Sequence, residues 1–108
     1  MGTAKTEDFT IKDNKIAGYA KALAHPARVA ILQILIESDS CICGDIVEEL
    51  PLSQSTVSQH LKELKDAGLI KGTIDGAKVC YCINEEEWAA AKSYLTEFFK
   101  SFKENKCC

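Results

Sequence analysis

At Gly68 the apolar rhythm of the chain changes period, and that change constrains the fold more than any other feature. Up to Ala67 apolar residues recur at helical spacing, whereas from Ile70 to Ile83 they follow the shorter period of strands. Ile16, Tyr19, Ala20 and Leu23 predict a short amphipathic helix over Asn14 to Leu23, ended by Ala24-His25-Pro26. Proline at a first helical position then starts a second helix, whose broad apolar face of Val29, Ile31, Leu32, Leu35 and Ile36 is expected to be buried. The turn Ser38-Asp39-Ser40 offers capping side chains for a third helix running to Leu50, with Ile42, Ile46, Val47 and Leu50 inward. Pro51 stops it. Ser53 is placed to cap a fourth helix, Gln54 to about Ala67, by accepting from the amide of Thr56; Val57, Leu61 and Leu64 form its buried face and Gly68 its left-handed terminator.

Beyond that point, Ile70 to Ile74 and Ala77 to Ile83 read as two strands joined at Asp75-Gly76, a dipeptide that tolerates the positive φ angles of a two-residue hairpin. Asn84 can cap the last helix. In it Trp88, Ala91, Leu95, Phe98 and Phe102 recur at spacings of three, four, three and four, the rhythm of a helix packed on another helix. A chain of 108 residues, 46% of them hydrophobic, supports one domain with a modest core and excludes a two-domain enzyme. The expected organisation is a mobile arm over 1–12, a domain over 13–103 and a tail over 104–108. No apolar run reaches the eighteen or so residues that cross a bilayer, and Met1-Gly2-Thr3-Ala4-Lys5 opens no signal segment, so no membrane partner and a cytoplasmic location are expected.

A helix, a tight break, a polar-faced helix and a hairpin make a winged helix–turn–helix, mainly α with a β-hairpin wing. The fourth helix is the reader. Opposite its core residues lie Gln54, Ser55, Ser58, Gln59 and Lys62, a strip suited to a major groove of double-stranded DNA: glutamine pairs with adenine, and hydroxyls and helix N-terminal amides suit phosphate oxygens. An ordinary solvated helix face is the competing reading. The formal charge of −3 argues against indiscriminate polyanion binding, yet residues 54–83 carry +1 while the rest of the chain carries −4. One reading helix touches few base pairs, so specificity calls for two of them about 34 Å apart in a dimer. The seam of Trp88, Ala91, Leu95, Phe98 and Phe102 is the candidate interface; packing on its own subunit is the alternative.

Six cysteines fall in three close pairs, Cys41-x-Cys43, Cys80-x-Cys82 and Cys107-Cys108. Such pairs suit a soft ion or redox chemistry, although cysteine also serves as a small buried hydrophobe. Cys80 and Cys82 share one face of a strand, about 6.6 Å apart along it. A thiol oxidoreductase is not expected, because no C-x-x-C stands near a βαβ pattern, and no other catalytic constellation is present. The protein is read as a non-enzyme.

Three stretches, Ala22-Leu-Ala-His-Pro-Ala-Arg-Val-Ala-Ile-Leu32, Cys41-Ile-Cys43 and Leu52-Ser-Gln-Ser-Thr-Val-Ser-Gln-His-Leu-Lys-Glu-Leu-Lys-Asp-Ala-Gly-Leu69, resemble the arsenical-resistance repressors of the ArsR/SmtB family. The resemblance covers about residues 20 to 84. It implies a homodimeric winged-helix repressor that sits on a palindromic operator and leaves it when a toxic metal or metalloid binds. It also places Gln54, Ser55, Thr56, Ser58, Gln59 and His60 on the recognition helix and Lys71 and Lys78 on the wing; His60, beside Leu61, has packing as its other reading. Cys41 and Cys43 match the position where arsenic-sensing members carry two of three thiolate ligands to As(III), with Sb(III) as a chemical relative. Some members place a third thiol where this chain has Ile46, so Cys107 or Cys108 is the expected source of the third ligand. The zinc site that other members build on the last helix lacks its histidine here. Two residues apart on a first helical turn project to opposite sides, so one ion held by Cys41 and Cys43 is expected to deform that turn, helped by Gly44. A Cd(II)- or Pb(II)-responsive repressor and a thiol-redox or persulfide-responsive repressor of the same fold remain alternatives.

Overall fold

A computed structural model describes residues 8–38, 41–43, 50–73 and 80–103. Among them the elements run α1 (Ile11–Ala22), α2 (Pro26–Ser38), β1 (Ile42–Cys43), α3 (Gln54–Asp66), β2 (Ile70–Thr73), β3 (Cys80–Ile83) and α4 (Glu85–Lys100).

Short polar side chains set the helix starts. Thr10 Oγ1 accepts from the amide of Asp13 at 3.0 Å, so α1 begins at Ile11, three residues earlier than Asn14 and inside the span expected to be an arm. Ser53 Oγ accepts from the Thr56 amide at 3.3 Å, and Asn84 Oδ1 accepts from the Glu87 amide at 3.4 Å, the two caps expected from sequence. Three glutamates, Glu85, Glu86 and Glu87, occupy the first turn of α4, where the helix dipole favours negative charge.

The end of α3 is equally well defined. Gly68 takes φ +88°, its amide donates to Lys65 O at 2.9 Å, and the Leu69 amide donates to Leu64 O at 3.1 Å. This pair of bonds closes the helix and brings buried Leu69 onto buried Leu64. The chain then enters β2 at Ile70 without a spacer.

The strands form one antiparallel sheet in the order β1-β3-β2. Ile42 stands opposite Tyr81 and Cys43 opposite Cys80; on the other side Ile70 pairs with Ile83, Lys71 with Cys82, Gly72 with Tyr81 and Thr73 with Cys80. Gly72, at φ +130°, lies so close to β3 that a side chain there would overlap the carbonyl oxygen of Cys80. Tyr81 and Ile70 point into the core with Ile31, Leu32, Leu35, Val57, Leu61 and Leu64. α1 lies against α4, where the Tyr19 hydroxyl donates to Glu87 Oε2 and Lys15 approaches the same carboxylate at 3.9 Å. Burial, reinforced by the Glu87 carboxylate, pushes the Tyr19 phenol up to about 12.

The structure corrects three expectations. Cys41-Ile42-Cys43 does not open a helix: Ile42–Cys43 is a strand paired with β3, and residues 44–49, with Ile46 and Val47, lie outside the described residues. The apolar face of α2 is not wholly covered, because α3 and the sheet shield one side of it and leave Val29 39% and Ile36 52% exposed. In α1, Tyr19 is buried as expected, but Ala22 rather than Ala20 joins it in the core. The Asp75-Gly76 turn lies outside the described residues.

Replacing Gly68 by alanine forces a left-handed backbone on an L-residue and sets its Cβ 2.9 Å from Glu87 Cγ. Gly68→Ala is expected to lower stability by about 1–2 kcal/mol, read from the midpoint of urea denaturation at unchanged slope. Gly72→Ala meets fixed backbone instead of a movable side chain and is expected to cost more in the same assay.

Candidate functional site

Because α3 buries Val57, His60, Leu61 and Leu64, its opposite side faces solvent. Gln54, Ser55, Thr56, Ser58, Gln59 and Lys62 are all exposed on it, with Lys71 exposed on β2. Ser53 Oγ stands within hydrogen-bond distance of Ser55 Oγ, 3.2 Å, and donates to Thr56 Oγ1 at 2.9 Å, so the first turn is pre-ordered by its own hydroxyls. Lys78 lies outside the described residues.

His60 is placed differently from its neighbours on this helix. It is 8% exposed, its ring lies 4.3 Å from that of His25, and Arg28 Nε donates to its Nδ1 at 3.2 Å. Arg28 also donates to the carbonyls of Lys21 and Ala22, which ties the end of α1, the start of α2 and the middle of α3 together. His60 therefore fills the packing role weighed against base contact. Burial lowers its pKa, and the nearby His25 and Arg28 lower it further, against an opposing pull from Glu63.

The second feature is a cluster of sulfur. Cys41 and Cys82 are joined as a disulfide with Cα atoms 4.3 Å apart, and Cys43 and Cys80 as another with Cα atoms 4.0 Å apart. Facing residues in antiparallel strands point to the same side. The register thus sets Cys41, Cys82 and Lys71 in one row and Cys43, Cys80 and Thr73 in the next, on the side of the sheet opposite the core. With the cysteines paired as disulfides, no group of three or more His, Cys, Asp or Glu stands ready to hold a metal ion among the described residues. A cavity of about 340 Å³ opens beside this cluster, bordered by Leu35, Ile36, Cys41, Lys71, Cys82 and Glu85. Cys107 and Cys108 lie outside the described residues. From sequence, Cys80 and Cys82 read as a lesser, separate site; the signal that they belong with Cys41 and Cys43 is the shared C-x-C spacing, the period of a strand rather than of a helix.

The expected seam on α4 divides. Ala91 is buried, and Trp88 and Leu95 are half-buried against the core of the same chain, whereas Phe98 is 49% and Phe102 78% exposed. Phe99, Phe9 and Ile11 are exposed as well. No helix among the described residues is long and apolar enough to cross a membrane.

Helices packed on a small antiparallel sheet, with a capped polar-faced helix leading directly into a hairpin, define a winged helix–turn–helix protein. A family model described as "Bacterial regulatory protein, arsR family" matches residues 25–71. The transcriptional regulator CmtR of Mycobacterium bovis is 30% identical over 98 residues, 91% of this chain and 82% of that protein. The transcriptional repressor SmtB of Mycobacterium tuberculosis is 42% identical over 69 residues, 64% of this chain; the chain spans 50% of that relative's length. The crystal structure of NolR from Sinorhizobium fredii aligns with a TM-score of 0.61 at 26% identity, covering 92% of this chain and 97% of that one. The chain belongs to the arsR family, and its relatives CmtR and SmtB are regulators of transcription.

The histidine at the α2–α3 contact makes stability pH-dependent. Below its ordinary pKa of 6.5 the unfolded His60 takes up a proton that the folded one, with its lowered pKa, resists. Stability is therefore expected to fall as pH drops through 6.5 toward the folded value. Thermal melts between pH 7.5 and 5.5 should show this decline, and His60→Gln should flatten it; an equal slope in that variant removes His60 as its source.

Proposed function

We propose that the protein is a homodimeric transcriptional repressor that binds operator DNA through α3 and leaves it when trivalent arsenic, or antimony, binds cysteine thiolates. The observation that carries the reading is the exposed strip of Gln54, Ser55, Ser58, Gln59 and Lys62, held on a capped helix that leads without slack into the sulfur-bearing sheet. Family membership supports both halves of it. Gln59 is the candidate for a bidentate contact to adenine, Ser55, Thr56 and the first-turn amides for phosphate, and Lys62, Lys71 and Lys78 for backbone charge. The exposed apolar surface of Phe9, Ile11, Phe98, Phe99 and Phe102 supports a second copy packing along α1 and α4, which sets two reading helices at groove spacing.

Cys41 and Cys43 are the effector ligands on this reading. Their place at β1, Cys43 on the strand and Cys41 just before it, changes the mechanics expected from sequence: the two sulfurs share a face, so an ion need not unwind a helical turn to collect them. A change at the sheet instead reaches the reader through β3, β2 and the closed turn at Gly68 and Leu69. A coupling of about 1–3 kcal/mol between the two sites changes operator occupancy about 5- to 150-fold. The further ligand comes from another thiol of the chain, for which the candidates are Cys107 and Cys108 on the tail and Cys80 and Cys82 on β3. A second reading, a thiol-redox repressor, is favoured by one specific observation, the pairing of Cys41 with Cys82 and Cys43 with Cys80.

Operator binding followed by fluorescence anisotropy tests the proposal. Gln59→Ala is expected to weaken specific DNA by about 1–3 kcal/mol with dimer mass unchanged. Cys41→Ser and Cys43→Ser are expected to keep DNA affinity and lose release by arsenite; release at wild-type arsenite concentrations in both variants overturns the effector assignment. For the dimer, Phe98→Asp with Phe102→Asp is expected to give a monomer by sedimentation velocity.

A further inference from the structure

We infer that Cys41, Cys43, Cys80 and Cys82 form, once reduced, a single thiolate site for a soft ion, so that the β3 cysteines and not the tail complete the ligand set of Cys41 and Cys43. This deepens the effector reading above and rests on it only for the link between ion and operator. The two disulfides are pairs within one array: both lie on the same side of the sheet, and cross-strand neighbours have Cα atoms only 4.3 and 4.0 Å apart.

Two equivalents of a dithiol reductant convert the pairs to four protein thiols and two oxidised reductant disulfides. Four sulfurs around a tetrahedral ion at a metal–sulfur distance of about 2.3 Å lie about 3.8 Å from one another. In each cross-strand pair, with Cα atoms 4.3 and 4.0 Å apart, the two sulfurs are bonded to each other, and reduction lets them part to that spacing. Along each strand the cysteines are about 6.6 Å apart, and sulfurs leaning toward each other by rotamer change close the remaining gap of about 3 Å. Cys41 and Cys43 are exposed and Cys80 and Cys82 half-buried, so the sulfurs are reachable and two of the four already have partial shelter from water.

The surroundings suit a thiolate. Lys71, opposite Cys82, brings a cation to sulfurs that must release their protons to solvent as they bind. No histidine is in the array, and thiolate alone selects soft ions over hard ones. A divalent ion of the zinc–cadmium class takes all four sulfurs, and As(III) takes three of them. Either guest fastens β1 to the central strand of the wing.

The test uses the full chain, reduced and kept anaerobic, titrated with Cd(II) and separately with arsenite, followed by alkylation and peptide mass mapping. Expected is one Cd(II) per chain with Cys41, Cys43, Cys80 and Cys82 all protected, and one As(III) per chain protecting three of these four. A cadmium-113 chemical shift of the same wild-type complex in the four-sulfur range is the independent readout. Cys80→Ser with Cys82→Ser is expected to lose more than about 100-fold in Cd(II) affinity, beyond the effect of disturbing an outer partner, while Cys107→Ser with Cys108→Ser retains it. Protection of Cys41 and Cys43 while Cys80 and Cys82 are alkylated as in the free protein overturns the inference, as does reoxidation to disulfides with no ion retained. Anisotropy on the same samples separates the two proposals. Four protected thiols with operator still bound leaves this site standing and removes the effector reading; release with Cys80 and Cys82 alkylated does the reverse.

Discussion

The central position of β3 is the constraint on which the rest of the molecule depends. Because it is hydrogen-bonded on both sides, its register is set twice, once by β1 and once by β2, and its four residues cannot slip without exchanging faces. Tyr81 is thereby committed to the core, 1% exposed, and Cys80 and Cys82 to the other side. Gly72 permits the closeness of β2 to this strand, since any side chain there would collide with backbone. One alternation thus separates the hydrophobic chemistry of the domain from its sulfur chemistry by the thickness of a single sheet.

The same sheet orients α3. Leu69 closes the helix and Ile70 begins β2, both nearly fully buried, so the helix end has little freedom relative to the strands. At its middle, His60 receives Arg28, which also holds the carbonyl end of α1. A polar helix face is common on protein surfaces; a polar face whose helix is fixed at its start by Ser53, at its middle by His60 and at its end by Gly68 is a rigid instrument. Such fixing is what the proposed groove reading by this helix requires.

At the far side of the domain, α1 and α4 are joined by a part-buried phenol–carboxylate hydrogen bond, by Lys15, and by the rings of Tyr19 and Tyr94, 6.2 Å apart. The aromatic residues of α4 that a single chain can use lie early, at Trp88 and Tyr94, and those it leaves exposed lie late, at Phe98, Phe99 and Phe102. An apolar surface of this extent at one end of a small domain is costly in water, which is the physical argument for a partner helix there.

Signals that act over three or four residues were legible in the amino-acid order alone. The caps at Ser53 and Asn84, the stop at Gly68, the inward stripe of Val57, Leu61 and Leu64 and the outward polar strip of α3 depend on local hydrogen bonds and helical period, which neighbours in sequence specify. The partners of His60 and the strand at Ile42–Cys43 were decided by tertiary structure. Helical period sets His60 inward, three residues after Val57 and four before Leu64, but its partners Arg28 and His25 arrive from elsewhere in the chain, and two residues have no period of their own until a partner strand supplies one. Cys41 and Cys82 are 41 residues apart and Cys43 and Cys80 are 37 apart, so sequence spacing showed two dithiols where folding makes one cluster. Local chemistry determined which side chains can bind soft ions or DNA, and only the closing of the sheet, which pairs residues far apart in the chain, decided which of them meet.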